Sequence, residues 1–372
     1  MPSPVIPTRL EALRLRYAGD DSGVLADYIP ELAKADPSWF GMSLCTIDGH
    51  IYDCGDSDQE FTIQSVSKPF VYALALADNG PTEMLERVGV EPSGKAFNSI
   101  LLDGSNRPHN PMVNAGAIAT VAMVKGVDTR FDRILETLGV FAGRPLSVDE
   151  SVYESERETG HQNRAIAHLM RTAGVFDLDV EKVLDVYFKQ CSVLVTSRDL
   201  AVMAATLANG GRNPVTGQIA LPPEAVGDVL SVMFTSGMYD YSGEWAFETG
   251  LPAKSGVSGG IAGLIPGQAG LGVFSPLVDD RGNSVRGTKV CQDFSKDLGF
   301  HLFRNRTESL PPIKSVSIGS ARHSYRVRSI AETQSLKHHG SRIAAIELQG
   351  LSLIHISEPT RLKTRSRMPS SA

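Results

Sequence analysis

Hydrophobic and polar positions follow two rhythms along the chain. Residues 41–47 and 50–54 are short β-prone runs separated by Asp48-Gly49, a dipeptide suited to a tight hairpin, so two antiparallel strands are predicted there. The middle of the chain carries helical signals. A helix over 70–78 is stopped by Asn79-Gly80-Pro81, Ser147 with Glu150 has the form of a capping box, and Thr196 with Asp199 opens a helix over 200–208 that Asn209-Gly210-Gly211 closes. Strand character returns over 253–257, 260–265 and 269–274, and Gly282-Asn283 marks another turn. Strands towards both ends around a helical middle predict an α+β chain in the broad α/β class. One antiparallel sheet, built from N- and C-terminal strands, packs against a helical subdomain.

Composition narrows the classes. The chain has 372 residues, 42% of them hydrophobic, and a net charge of −6. It is long enough to bury a large core without disulfides or metals. Charge is uneven: from residue 301 onward there are 12 Lys/Arg against 4 Asp/Glu, which leaves an acidic body and a basic tail. An acidic body argues against nucleic acid as a partner. No apolar stretch approaches the roughly 18 residues of a membrane span, so no membrane partner is expected. Met1-Pro2-Ser3-Pro4 lacks the layout of a signal peptide, and a cytoplasmic location is expected. Cys45, Cys54, Cys191 and Cys291 are widely spaced and form no ligand cluster, which predicts reduced thiols and no metal. His338-His339 has no third ligand nearby.

The first chemical motif is Ser65-Val66-Ser67-Lys68. Residues three apart on a helix share a face, so the Ser65 hydroxyl and the Lys68 amine can meet. Pro69 is tolerated only in a first helical turn, which places the helix start within a residue or two of Ser65. A lysine kept neutral by desolvation or neighbouring charge can activate a serine. Alone the string is weak, because a cap followed by a surface lysine reads the same. Lys254-Ser255-Gly256, in the late strand region, strengthens it by resembling the K-[ST]-G strand of the serine penicillin-recognising enzymes. Such a strand supplies positive charge and a backbone N–H for an oxyanion. Tyr187 and Tyr239 are candidates for a proton shuttle, although each is equally readable as a packing residue.

Longer strings carry a family resemblance. Gln64-Ser65-Val66-Ser67-Lys68-Pro69, the stretch from Pro108 through Asn114 to Ala117, Ser155-Glu156-Arg157-Glu158-Thr159-Gly160, the run over 203–211, the run over 251–257 and Asp27-Tyr28-Ile29-Pro30 closely resemble the serine-dependent glutaminases over roughly residues 20–305. The resemblance implies a β-lactamase/DD-peptidase-like fold. It also implies hydrolysis of L-glutamine to L-glutamate and ammonia through a glutamyl ester, with no cofactor. It makes Ser65 the nucleophile, Lys68 its base, Tyr187 and Tyr239 the proton-moving phenols, and the N–H groups of Ser65 and Val257 the oxyanion hole. Gln64, Asn114, Glu156, Asn163 and Tyr187 are then expected to hold the substrate's amino and carboxylate groups, with Lys254, Ser255 and Gly256 in support. Chemistry agrees with part of this: an α-ammonium needs a carboxylate, and amides suit a carboxylate. Glu156 and Asn163 share a helix face if one helix spans both, and Gly160 is the residue that could break it.

One departure concerns Trp39-Phe40-Gly41. Many relatives place a substrate-contacting Tyr before Trp-Gly, so a phenolic bond is expected to be lost at Trp39. The segment over 94–107 aligns with a loop that gates the site in some relatives. By family analogy the chain forms a homodimer or homotetramer. A penicillin-binding protein or β-lactamase shares both short motifs but has no use for Glu156, and a non-catalytic sensor on the same fold is the other alternative.

The tail divides the expected organisation into a catalytic domain over 1–313, a linker over 314–341 and one strand over 342–350. That strand resembles the opening of a truncated sulfate-transporter and anti-sigma-antagonist domain and has no sheet to join. The string Leu351-Ser352-Leu353-Ile354-His355-Ile356 resembles a translated sequencing-library adapter, so residues 351–372 are expected to be a reading artefact, and disordered.

Overall fold

Strands from early and late in the chain pair into one antiparallel sheet. Their spatial order is Ile51–Gly55, Gly41–Thr46, Ala269–Phe274, Gly260–Ile265 and Ala253–Ser255. The hairpin expected at Asp48-Gly49 pairs Gly41 with Gly55 and Cys45 with Ile51, and Gly49 takes φ +87°, a left-handed value that glycine tolerates. The long-range register, Gly41 against Phe274 and Thr46 against Ala269, joins the N- and C-terminal strands. This computed structural model describes residues 5–304, 313–318, 329–342 and 344–348.

Alternation along Ala269–Phe274 decides what covers each face. Gly270 and Gly272 form a bare floor for the helix Ser197–Ala208: a Cβ on Gly270 would lie 2.1 Å from the Ala205 nitrogen, and one on Gly272 2.0 Å from the Ser197 oxygen. Leu271 and Val273 belong to the opposite cluster, with Leu10 and Leu13 of the helix Val5–Tyr17 and Val290 and Phe294 of the helix Val285–Leu298. Beyond Ser197–Ala208 lies the larger helical core, which includes Phe70, Phe141, Leu184 and Phe188. Thr196 and Asp199 form the expected reciprocal capping box.

Two local expectations shift. The helix stopped at Asn79-Gly80-Pro81 restarts at once: Gly80 breaks it with φ 80° and ψ 164°, and the helical run Lys68–Arg87 continues on Pro81, whose missing N–H suits a new first turn. Asp149, rather than Ser147, caps the helix Glu150–Thr159, accepting from the N–H groups of Ser151 and Val152. Ser147 is unavailable because its carbonyl accepts from the Leu194 N–H and Val148 bridges to Val193.

The chain divides into two compact units, Met1–Phe303 and Arg304–Ala372. In the second, Ile313–Ile318 pairs antiparallel with Ala344–Leu348, and Ile330–His339 is helical. The stretch expected as linker therefore holds a strand and a helix. The strand expected over 342–350 does find a partner, upstream, where Val316 and Ile318 alternate with serines. Residues 351–372 lie outside the described residues.

Candidate active site

The nucleophile candidate sits where strand gives way to helix. Ser65 lies in a buried 3-10 turn, Gln64–Ser67, that runs directly into Lys68–Arg87, with Pro69 in the first α-helical turn. Lys68 is 1% exposed and donates from Nζ to Asn114 Oδ1 at 2.7 Å. Burial pulls its pKa down to about 8, against the opposing influence of Cys191 and Glu156. An amine in that range is substantially neutral near pH 8, the state a general base needs. Asn114, at the start of the helix Asn114–Met123, also accepts from the Tyr187 hydroxyl at 3.3 Å and donates to Asn163 Oδ1 at 2.9 Å.

The late strand Ala253–Ser255 lies against the same turn. A Cβ on Gly256 would meet Val66 Cγ2 at 3.0 Å and the Ile63 oxygen at 3.2 Å, so glycine here eases a tight approach of the strand end to the turn. This sets Val257 beside the Ser65 turn, and among the described residues its N–H has no backbone acceptor. Lys254 Nζ donates to the carbonyls of Gly237 at 2.9 Å and Ser255 at 2.6 Å, and lies 4.1 Å from the centre of the Tyr239 ring. Burial, then the charge of Lys68, holds its pKa well below the usual lysine range. The positive charge expected beside the nucleophile is therefore weakened, and the amine instead pins the turn that carries Tyr239. Burial raises the pKa of the Tyr239 phenol, the Ser65 hydroxyl partly opposing it, and the Tyr239 hydroxyl has no hydrogen-bond partner among the described residues.

Glu156 and Asn163 reach the cluster from separate helices, Glu150–Thr159 and His161–Thr172, which meet at Gly160. A Cβ at Gly160 would lie 2.5 Å from Phe188 Cζ, so the glycine at the break is a packing requirement. The Glu156 carboxyl is 2% exposed, and burial pushes its pKa up to about 7, with the Gln64 amide and the Lys68 charge holding it back. Its Oε1 is buried without a hydrogen-bond partner among the described residues. Such an oxygen is costly unless a ligand satisfies it.

Three further residues enter the site. Tyr28, 48% exposed, brings its phenol near Glu156, Cys191 and Tyr239, and desolvation first, then those charges, raises its pKa well above the usual value. Trp39 packs against Phe274 instead, with ring centres 6.3 Å apart, so a phenol reaches the site from a different segment than the one expected to supply it. Phe97, in the segment compared to a gating loop, lies 4.7 Å from the Tyr239 ring and 6.0 Å from Lys68 Nζ. Its carbonyl accepts from the Asn114 N–H at 2.8 Å. The Cys191 thiol, fully buried, neighbours Tyr187, Lys68 and Glu156. Tyr28 lies in one of the family strings and Phe97 in the segment compared to a gating loop, but no local pattern singles out either residue, and Cys191 carries no signal at all.

The family model described as Glutaminase matches residues 23–303. The chain belongs to the glutaminase family. It is 55% identical over 305 residues to a glutaminase of Trichormus variabilis, covering 81% of this chain and 91% of that one. To glutaminase 2 of Bradyrhizobium diazoefficiens it is 53% identical over 336 residues, covering 90% of this chain but only 54% of the relative. A solved probable glutaminase, YbaS, superposes with TM-score 0.79 at 39% identity, over 82% of this chain and all of that one. The structure of Mglu in its glutamate form gives 0.78 at 44% identity, over 84% and 73%. These glutaminases share the β-lactamase-like fold seen here, and glutamine hydrolysis is the activity that the family supports for this enzyme.

Proposed function

We propose that the chain hydrolyses L-glutamine through an ester on Ser65. The observation that carries this reading is the buried cluster in which Lys68, brought down to about 8, lies one turn from Ser65 and within reach of the charge of Glu156. Neutral Lys68 takes the Ser65 proton as Oγ attacks the side-chain carbonyl carbon of glutamine. The oxygen that becomes negative is met by the N–H groups of Ser65 and Val257. Collapse breaks the C–N bond, and the departing nitrogen leaves as ammonia with a proton passed from Lys68 or through Tyr239. Water then attacks the glutamyl ester by the same groups in reverse, releasing L-glutamate and restoring the serine. Tyr187, hydrogen-bonded to Asn114, is the second phenol able to move a proton.

Substrate orientation follows from charge. The unpartnered carboxylate oxygen of Glu156 takes the α-ammonium, beside Gln64 and Tyr28, while the amides of Asn114 and Asn163 suit the α-carboxylate. A β-lactam carries no such ammonium requirement, so Glu156 favours the amino-acid substrate. The test is ammonia release by the purified chain: turnover of glutamine, none of asparagine, and loss of at least about a thousandfold in Ser65→Ala are expected. Undiminished activity in Ser65→Ala, or hydrolysis of a chromogenic β-lactam without glutamine turnover, overturns the reading.

A further inference from the structure

Three non-glycine residues among the described ones have left-handed backbones: Gln64 at φ 47°, Asn106 at 59° and Tyr239 at 58°. Asparagine adopts this region with modest strain, whereas long and aromatic side chains rarely do. The two unusual cases flank the chemistry: Gln64 immediately precedes Ser65, and the Tyr239 ring lies 4.1 Å from Lys254 Nζ and 4.7 Å from the ring of Phe97, which is itself 6.0 Å from Lys68 Nζ. Both are restrained in the same way. The Ser67 hydroxyl donates to the Gln64 carbonyl at 2.7 Å, and the Ser242 hydroxyl donates to the Tyr239 carbonyl at 2.8 Å. In each case the serine is three positions after the strained residue. A donor behind each hydroxyl also leaves its single proton one direction to take. Gln190 Nε2 approaches Ser67 Oγ at 2.8 Å, and the Met238 N–H approaches Ser242 Oγ at 3.0 Å.

We propose that Ser67 and Ser242 are positioning residues, two buried clamps that hold the nucleophile turn and the Tyr239 turn in the strained backbone form that brings Ser65 and the phenol into one site. The inference rests on the seryl-ester reading above and deepens it. Neither serine takes a role in binding or chemistry there. Ser67 and Gln190 are fully buried and Ser242 is 4% exposed. Gln190 lies on the helix Val180–Cys191, which also carries Tyr187, so the first clamp ties the nucleophile turn to the element holding a second site phenol. Without the clamp, a strained residue relaxes towards negative φ, its carbonyl swings away, and the adjacent group leaves its reactive placement.

The experiment compares Ser67→Cys and Ser242→Cys, which keep volume but lose a strong donor, with Ser67→Thr and Ser242→Thr, which keep the hydroxyl. Steady-state ammonia release and thermal melting are measured on the full chain. Each Cys variant is expected to lose about ten- to a hundredfold in kcat, with KM changed by less than about threefold, and each Thr variant to recover most of that loss. Gln190→Leu, which keeps the helix and removes only the group that aims Ser67, is expected to fold and to lose kcat severalfold. It decides the matter should a serine variant fail to fold. Folded Cys variants or Gln190→Leu at wild-type kcat overturn the proposal, as do folded Thr variants that recover nothing. A Ser65→Ala control separates the two readings: undiminished turnover there sinks the seryl mechanism, whereas a loss of about a thousandfold in Ser65→Ala beside fully active clamp variants sinks the clamps alone.

Discussion

At the scale of single residues, the site is governed by two buried ionisable groups displaced towards each other. Lys68 comes down to about 8 and Glu156 goes up to about 7, both because burial disfavours charge. In the proposed mechanism Lys68 is neutral when it accepts the serine proton and Glu156 is ionised when it holds the substrate ammonium. Both requirements are met by losing protons. A profile of kcat/KM against pH is therefore expected to climb from about pH 6.5 to 8.5, and a flat or falling profile across that window contradicts the assignment. Glu156 also costs stability. Its folded pKa lies above the usual 4.5, so its stability contribution is complete below about pH 4.5 and is lost as pH rises through about 7. Glu156→Gln is thus expected to raise the melting temperature at pH 8 by several degrees, to give no gain near pH 4, and to weaken glutamine turnover by about a hundredfold or more. Equal melting curves at pH 8 would show the carboxylate to be well compensated.

At the scale of elements, close approach explains more than hydrophobic content does. The helix Ser197–Ala208 rests on backbone atoms of Ala269–Phe274 because Gly270 and Gly272 have no side chains, and its entry is fixed by the Thr196–Asp199 capping box. Arg144 reinforces that entry, donating to both carboxylate oxygens of Asp199 at 2.8 and 2.6 Å. Gly272→Ala would push a methyl group into the Ser197 carbonyl. The expected cost is a fall in melting temperature of about 5 °C or more, read by circular dichroism, with KM for glutamine little changed in protein that folds. Legibility in sequence varied among the elements for the same physical reason. The Asp48-Gly49 hairpin and the Thr196–Asp199 cap depend on residues within four positions of each other, so local chemistry decides them. The Ser147 cap depended on a strand pairing, Val148 with Val193, that no local pattern records.

At the scale of the whole molecule, every site residue lies inside the unit Met1–Phe303 and inside the family match over 23–303. A chain ending at residue 313 is expected to retain kcat for glutamine within about twofold, measured by ammonia release. A large loss would assign the remaining segment a direct part in the reaction. Among the described residues no helix is long and apolar enough to cross a membrane, and the four cysteines are free and buried. The second unit pairs Ile313–Ile318, almost all of it within the segment expected as linker, with Ala344–Leu348, within the strand expected over 342–350.

What the sequence by itself determined was whatever depends on near neighbours: the Ser65–Lys68 spacing on one helical turn, the proline that fixes where that turn begins, the Lys254-Ser255-Gly256 motif, and the family strings around Glu156. Tertiary structure alone decided which distant groups converge. Tyr28, Phe97 and Cys191 come from separate segments to lie near Lys68 or Glu156, and Asn163 meets Asn114 from a different helix. It also decided the left-handed backbones of Gln64 and Tyr239, which their residue types disfavour. The reason is energetic. A side chain's pKa, an orphaned oxygen or a strained φ arises from removing water and fixing partners, and neither happens until the chain has folded around them.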